Sequence, residues 1–345
     1  MKRNRKSIIS KFSFVLVIAI LIGTLAGCSG SDNGTSGGSS DEVIEIRIGH
    51  IMAPTNPVEI ALQEFKTIVE EESGGRVVVE TYHSGVLGGE METFQQTSVG
   101  QIDAMVTSSI SILQGINSLA AIEELPFLFP DKATAHSAYD GEFGDRLIEE
   151  VIEPNGVKAI NFWENGFRHF TNNVRPINKP EDMAGIKFRS AEVPLRIRMF
   201  ESLGADAIPM ALSEVFTGLQ QGTIDGQENP LSTIDSSKLY EVQEYLSLSG
   251  HIYNGGIFVF NQEVWDSYPQ DIQDIIINAA EIARDYEREL IAENDVALIE
   301  VMEEAGVAVN EIEKELFVDA VQVVWDEFIA EHGDEVVNIA LKYVE

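Results

Sequence analysis

The apolar and polar positions of this chain follow one pattern that is written twice. The first copy opens at 45–50 (EIRIGH), where Ile46 and Ile48 alternate with polar residues at the period of a half-buried strand. Pro57 then leads into an amphipathic helix carrying Ile60, Leu62, Phe65, Ile68 and Val69, and a second strand follows at 76–81. Gly88-Gly89 opens another helix, and Gly100-Gln101-Ile102-Asp103 leads into Ala104-Met105-Val106. The second copy begins at 185–189 (GIKFR), continues through Pro194 into a helix containing Met199 and Phe200, and adds a short strand at Ala207-Ile208. A helix over 213–220 and the turn Gly222-Thr223-Ile224-Asp225 close it, leading into Gly226-Gln227. Strand–helix–strand–helix–strand, twice over, predicts an α/β protein of two lobes with mostly parallel sheets. Ligands of such sheets sit beyond the carboxyl ends of the strands. Those ends fall at 50–55, 107–109, 189–192 and 227–229.

Two further segments join the copies. Residues 161–171 (NFWENGFRHFT) are aromatic-rich and extended, and bridge the first copy to the second. From about 269 to 305, Ile272, Ile276, Ala279, Ala283, Leu290, Leu298 and Met302 keep helical spacing. A helix of that length runs roughly 55 Å, too far for one small lobe to cover.

The N-terminus reads differently. Lys2, Arg3, Arg5, Lys6 and Lys11 precede an apolar run at 12–25, and Leu25-Ala26-Gly27-Cys28 closes it with small residues. The run is shorter than the roughly 20 residues a membrane span needs. Residues 1–27 are therefore expected to be a lipoprotein signal, with Cys28 the lipidated mature N-terminus and 28–42 a flexible tether. Cys28 is the only cysteine among 345 residues, which excludes an internal disulfide or a cysteine-cluster metal site. Within the tether, Gly34-Thr35-Ser36-Gly37-Gly38 matches a serine-hydrolase motif by letter, but no strand or helix can flank it there.

Charge narrows the partners. The chain carries 57 acidic against 23 basic residues, a formal charge of −34, so nucleic acid is not expected to bind. An anionic ligand would be repelled by that field and would need local cations, within the ~8 Å screening length of physiological salt. The six histidines show no metal-ligand spacing, and no nucleophile–base constellation or phosphate loop is present. Neither a metal nor another cofactor is expected, and no catalytic residue is assigned.

Arg189, at a strand end, offers a planar fork that meets a carboxylate with two parallel hydrogen bonds. From the residues alone, an arginine snorkelling at a strand end or pairing with Glu192 is the favoured reading. The block 185–230 (GIKFRSAEVPLRIRMFESLGADAIPMALSEVFTGLQQGTIDGQENP) resembles the signature region of the solute-binding proteins of TRAP transporters, the tripartite ATP-independent periplasmic transporters. The likeness extends from about Ile46 to about Glu304. It implies a two-lobed periplasmic-binding-protein-like fold, with lobe I at 43–165 plus about 256–294 and lobe II at 166–255 plus about 295–345. The long helix would span both lobes. It also implies that Arg189 and Asn229 hold a ligand carboxylate with Arg168 beside them, and that Leu212 and Glu192 fall at ligand-lining positions. Gly89 stands where some family members carry an acid. His50 and Ser108, at strand ends, are further candidates, as is Glu164. The partner that Arg168 needs is the ligand or Glu164, the ligand being favoured, and Glu164 would neutralise it in part.

The resulting expectation is a monomeric, extracytoplasmic receptor, lipid-anchored at the outer face of the membrane. It would deliver a small organic acid to two integral membrane subunits. Ionised Glu164 and Glu192 would suit the hydroxyls of a sugar acid better than a second carboxylate. An extracellular hydrolase using paired carboxylates, and a receptor serving a sensor kinase, are the rival readings.

Overall fold

The computed structural model describes residues 43–344; the expected signal, tether and Cys28 lie outside them. Ten strands form: β1 (Ile44–Gly49), β2 (Val77–Tyr82), β3 (Ala104–Val106), β4 (Val157–Asn172), β5 (Lys187–Ser190), β6 (Asp206–Pro209), β7 (Gly226–Pro230), β8 (Tyr245–Leu248), β9 (Tyr253–Asn261) and β10 (Ala308–Glu311). The duplication in the sequence is a duplication in space. β2-β1-β3 is a parallel trio, and β6-β5-β7 repeats the same order. Each trio is crossed by two helices, Pro57–Glu72 and Glu90–Ser98 in the first and Pro194–Ser202 and Leu212–Gln220 in the second.

β4 holds the two halves together. Its 16 residues pair antiparallel with β9 along the first part, from Val157 to Phe167. Its last residues, Arg168 to Asn172, pair with β7 on one side and, in part, with β8 on the other. One strand therefore belongs to both sheets. Its register with β9 slips between Glu164 and Gly166, where Gly166 takes φ +101°, a left-handed conformation that favours glycine.

The long helix, Gln270–Glu304, is 35 residues of unbroken α-helix. Ile272, Ile276, Ala279, Ala280 and Ala283 enter the core beneath β1 to β3, together with Val58, Leu62 and Phe65. Met302 enters the second lobe's core with Val215, Leu219 and Leu246. An apolar stripe that changes its core partner midway explains the helix's length. The C-terminal helices also return: Phe328, Val336, Val337, Ile339 and Ala340 pack with Met105, Tyr139 and Phe143 of the first lobe instead of staying with the second.

Candidate functional site

A cavity of about 440 Å³ opens between the lobes, lined from the first by Met52, Gly89, Glu90 and Ser108, and from the second by Arg189, Leu212 and Asn229. The parallel trios aim their carboxyl ends at it. Arg189 lies on β5 and Asn229 on β7, while Ser108 follows β3 by two residues.

Three arginines reach the wall: Arg168, Arg189 and Arg196. Each is almost fully buried, and two have carboxylate partners behind the wall. Arg168 meets Glu228 with both its Nε and its Nη2, the latter at 3.0 Å, and Nη2 also donates to the Asn229 Oδ1 at 2.8 Å. Arg196 forms a fork–fork pair with Glu124, Nε to Oε2 at 2.7 Å and Nη2 to Oε1 at 2.6 Å. Asn254 sits between the two guanidinium groups, accepting from Arg168 at 3.2 Å and from Arg196 at 3.1 Å.

Arg189 differs. Its Nε donates to the Met210 carbonyl at 2.8 Å, and among the described residues it has no carboxylate partner. The backbone contact fixes one edge of the guanidinium and leaves the terminal N–H groups for the cavity. Burial pulls its pKa down to about 9; Glu228 opposes the shift, while Arg168 and Arg196 add to it. Burial would raise the Glu228 carboxyl, yet the charges of Arg168 and Arg196 hold it well below its ordinary value. Glu124 is likewise held down by Arg196 against its burial. The wall is thus left with one uncompensated cation, which remains charged at neutral pH.

Acceptors face it from the first lobe. Glu90 accepts from the Ser108 backbone N–H and from the Ser108 Oγ at 2.8 Å. Burial raises its pKa, and the bonds from Ser108 counter that rise. Gly89 brings no side chain to the wall, but it caps the helix Glu90–Ser98, and the acid Glu90 projects from that helix's first turn. Glu192 is exposed on the cavity's rim.

Two expected residues are elsewhere. His50 is buried and bonded through Nε2 to Glu59 at 2.7 Å, inside the first lobe and off the cavity wall. Glu164 is buried between His136, at 2.8 Å, and Lys132, at 3.1 Å, also off the wall. It does not neutralise Arg168; Glu228 does. In a regular strand residues 164 and 168 share a face. The slip at Gly166 places an extra residue between them and reverses that parity. Arg168, Arg189, Glu192, Leu212, Asn229 and Ser108 do line one cavity.

Glu228, Arg196, Glu124, Asn254 and Glu90 were not singled out in the sequence. Glu123-Glu124 did carry a signal, because two acids inside the apolar run 119–129 demand buried partners. Among the described residues no cluster of His, Cys, Asp and Glu could hold a metal ion.

The comparisons with known proteins decide the family. The model of "Bacterial extracellular solute-binding protein, family 7" matches residues 48–332. The chain belongs to that family. It is 34% identical over 276 residues to the 2,3-diketo-L-gulonate-binding periplasmic protein YiaO of Escherichia coli, covering 80% of this chain and 84% of that one. A sugar acid binding protein from Advenella mimigardefordensis, solved with galactonate, superposes with TM-score 0.83 at 32% identity, covering 88% of this chain and 99% of the other. A TRAP periplasmic solute-binding protein from Sulfurospirillum deleyianum, solved with succinate, gives TM-score 0.82 at 28% identity over 86% and 98%. The protein is an extracytoplasmic solute receptor for small organic acids, working with a TRAP-type transporter, and it is not an enzyme.

Proposed function

We propose that the interlobe cavity captures a monocarboxylate bearing several hydroxyls, a uronate or aldonate, in preference to a C4-dicarboxylate. The observation that carries this reading is that, of the three arginines on the cavity wall, Arg189 alone has no carboxylate partner among the described residues. Arg189 takes the ligand carboxylate on its open edge, assisted by the amide of Asn229 and the spare N–H of Arg168. Glu90, on the opposite lobe, accepts hydrogen bonds from ligand hydroxyls, and Glu192 repels a second carboxylate at the rim. Leu212 supplies an apolar wall. Relatives solved with galactonate and with succinate keep both classes in play, and the charge pattern favours the first.

Closure over the ligand is favoured only as far as the ligand binds the closed form better than the open one. Contacts from both lobes to one molecule supply that difference. The Cys28 lipid anchors the receptor, as a monomer, at the outer face of the membrane.

Thermal-shift screening with glucuronate, galacturonate, gluconate, malate, succinate and fumarate tests the reading. Stabilisation by the sugar acids is the expected result. Stabilisation by the dicarboxylates alone would sink it.

A further inference from the structure

A cavity lined by three arginines is equipped, by count, to hold a diacid or even a triacid. Only two of the three are visible as candidates from the family pattern. Arg196 is the addition, and the way it is held is informative. It projects from the second-lobe helix Pro194–Ser202 and is 2% exposed. Its partner Glu124 comes from the other side of the cleft, at the end of the 3₁₀ turn Ser118–Glu124, whose Ala120 and Ile122 pack in the first lobe's core. Glu124 is fully buried and is not on the cavity wall, so it acts on the ligand from behind, through the fork–fork pair with Arg196 and through the longer 3.3 Å bond it accepts from Asn254.

The donor inventory of Arg196 is nearly spent. Nε and one Nη2 hydrogen go to Glu124, the second Nη2 hydrogen to Asn254, and one Nη1 hydrogen to Glu228 at 3.2 Å. One Nη1 hydrogen remains of five. That hydrogen can meet a ligand hydroxyl, but the positive charge behind it is cancelled. An isolated arginine here would offer a full charge and an open fork to a second carboxylate. Fork–fork pairing with Glu124 removes both.

We infer that Glu124 is a specificity-determining residue that acts through Arg196: by masking a second wall cation from behind, it restricts the cavity to ligands with one carboxylate. Arg196 is the part the ligand touches, and Glu124 positions and neutralises it. The inference rests on the organic-acid reading of the cavity given above.

The test uses the whole receptor and a matched pair of ligands. D-Galactonate and the meso diacid galactarate share six carbons and four internal hydroxyls and differ only in whether C6 is an alcohol or a carboxylate. Affinities for both are measured by titration calorimetry for wild type, Glu124→Gln, Arg196→Gln and the double variant. Wild type prefers galactonate. Glu124→Gln unmasks Arg196 and moves the ratio of the two affinities toward galactarate by about tenfold or more, the scale of a new close charge pair. Arg196→Gln leaves Glu124 bare and moves the ratio the other way. The double variant, with neither charge, returns it close to wild type. A purely structural role would weaken both ligands together and leave the ratio unmoved, which overturns the inference. Should Glu124→Gln fail to fold, the opposite shift in Arg196→Gln and its reversal in the double variant separate the two roles equally well. If wild type binds neither acid, nor any monocarboxylate in the screen, the cavity reading itself fails and this inference with it.

Discussion

Replacing Arg189 by glutamine should abolish ligand capture and at the same time make the stripped receptor more stable. Arg189 is 5% exposed, it has one hydrogen bond to a backbone carbonyl, and no carboxylate among the described residues answers its charge. Burial, the first cause, pulls its pKa down from the ordinary arginine range to about 9. Read as a free-energy difference, that fall has an upper limit of about 5 kcal/mol. Cavity water screens the open edge of the guanidinium, so a gain of roughly 1–3 kcal/mol for Arg189→Gln is the working figure. The sign is fixed by linkage. Below pH 9 the folded receptor carries a charge that the unfolded chain solvates better, so the gain is full there. From about pH 9 up to the ordinary arginine range the unfolded chain holds the extra proton, wild type catches up, and the gain shrinks. The assay is calorimetric melting of both proteins at pH 7 and pH 10, after ligand has been stripped by unfolding and refolding. A rise in Tm of roughly 2–6 °C at pH 7 is expected. The same variant should show no thermal shift with any acid that stabilises wild type. A variant that melts below wild type at pH 7 would refute the view of Arg189 as an uncompensated charge held ready for a ligand.

Arg189→Lys keeps the charge but loses the fork and the tie to Met210. Calorimetry should show affinity falling by roughly 2–3 kcal/mol, some 30- to 150-fold, with the fold intact. Glu90→Gln puts a donor where a hydroxyl acceptor stood, so sugar-acid affinity should drop roughly tenfold or more while Tm changes little. Buried Glu123 is pushed up to about 8, so its carboxyl stays protonated in the fold while the unfolded chain ionises near 4.5. Stability should therefore fall as pH rises from about 4.5 to 8 and then level off; Glu123→Gln, which mimics the protonated acid, should flatten that slope, by up to about 5 kcal/mol at pH 8. Cys28→Ser should release the protein into the medium with binding preserved, and membrane retention equal to wild type would contradict lipid anchoring.

The fold was legible because its signals are periodic. Alternation around Ile46 and Ile48, the turns opened by Gly100 and Gly222, and the spacing of Ile272 through Met302 each report a local geometry that the structure keeps. The same periodicity placed the strand ends at Ser108, Arg189 and Asn229, and at His50, which is off the wall. That Arg189 and Asn229 would meet a carboxylate came only from the resemblance to the TRAP receptors. The partners behind the wall were not legible. Glu228 lies next to Asn229, and the arginine it neutralises is 60 positions away. Glu124 and Arg196 are 72 residues apart. Nothing local to either says that they touch. Glu164 was misplaced by a single feature, the register slip at Gly166, which swaps the faces of β4 without any change in its apolar pattern. A strand's period predicts orientation only until the first bulge.

β4 also limits how such a receptor can be rebuilt. Because one strand runs through both sheets, the long helix through both cores, and the C-terminal helices back again, no single cut separates the halves. A lobe from one relative cannot be grafted onto a lobe from another as a module, since each would carry away part of its neighbour's interior. New ligand preferences in this architecture must then arise residue by residue along the cavity and just behind it, by point substitution and not by recombination of parts.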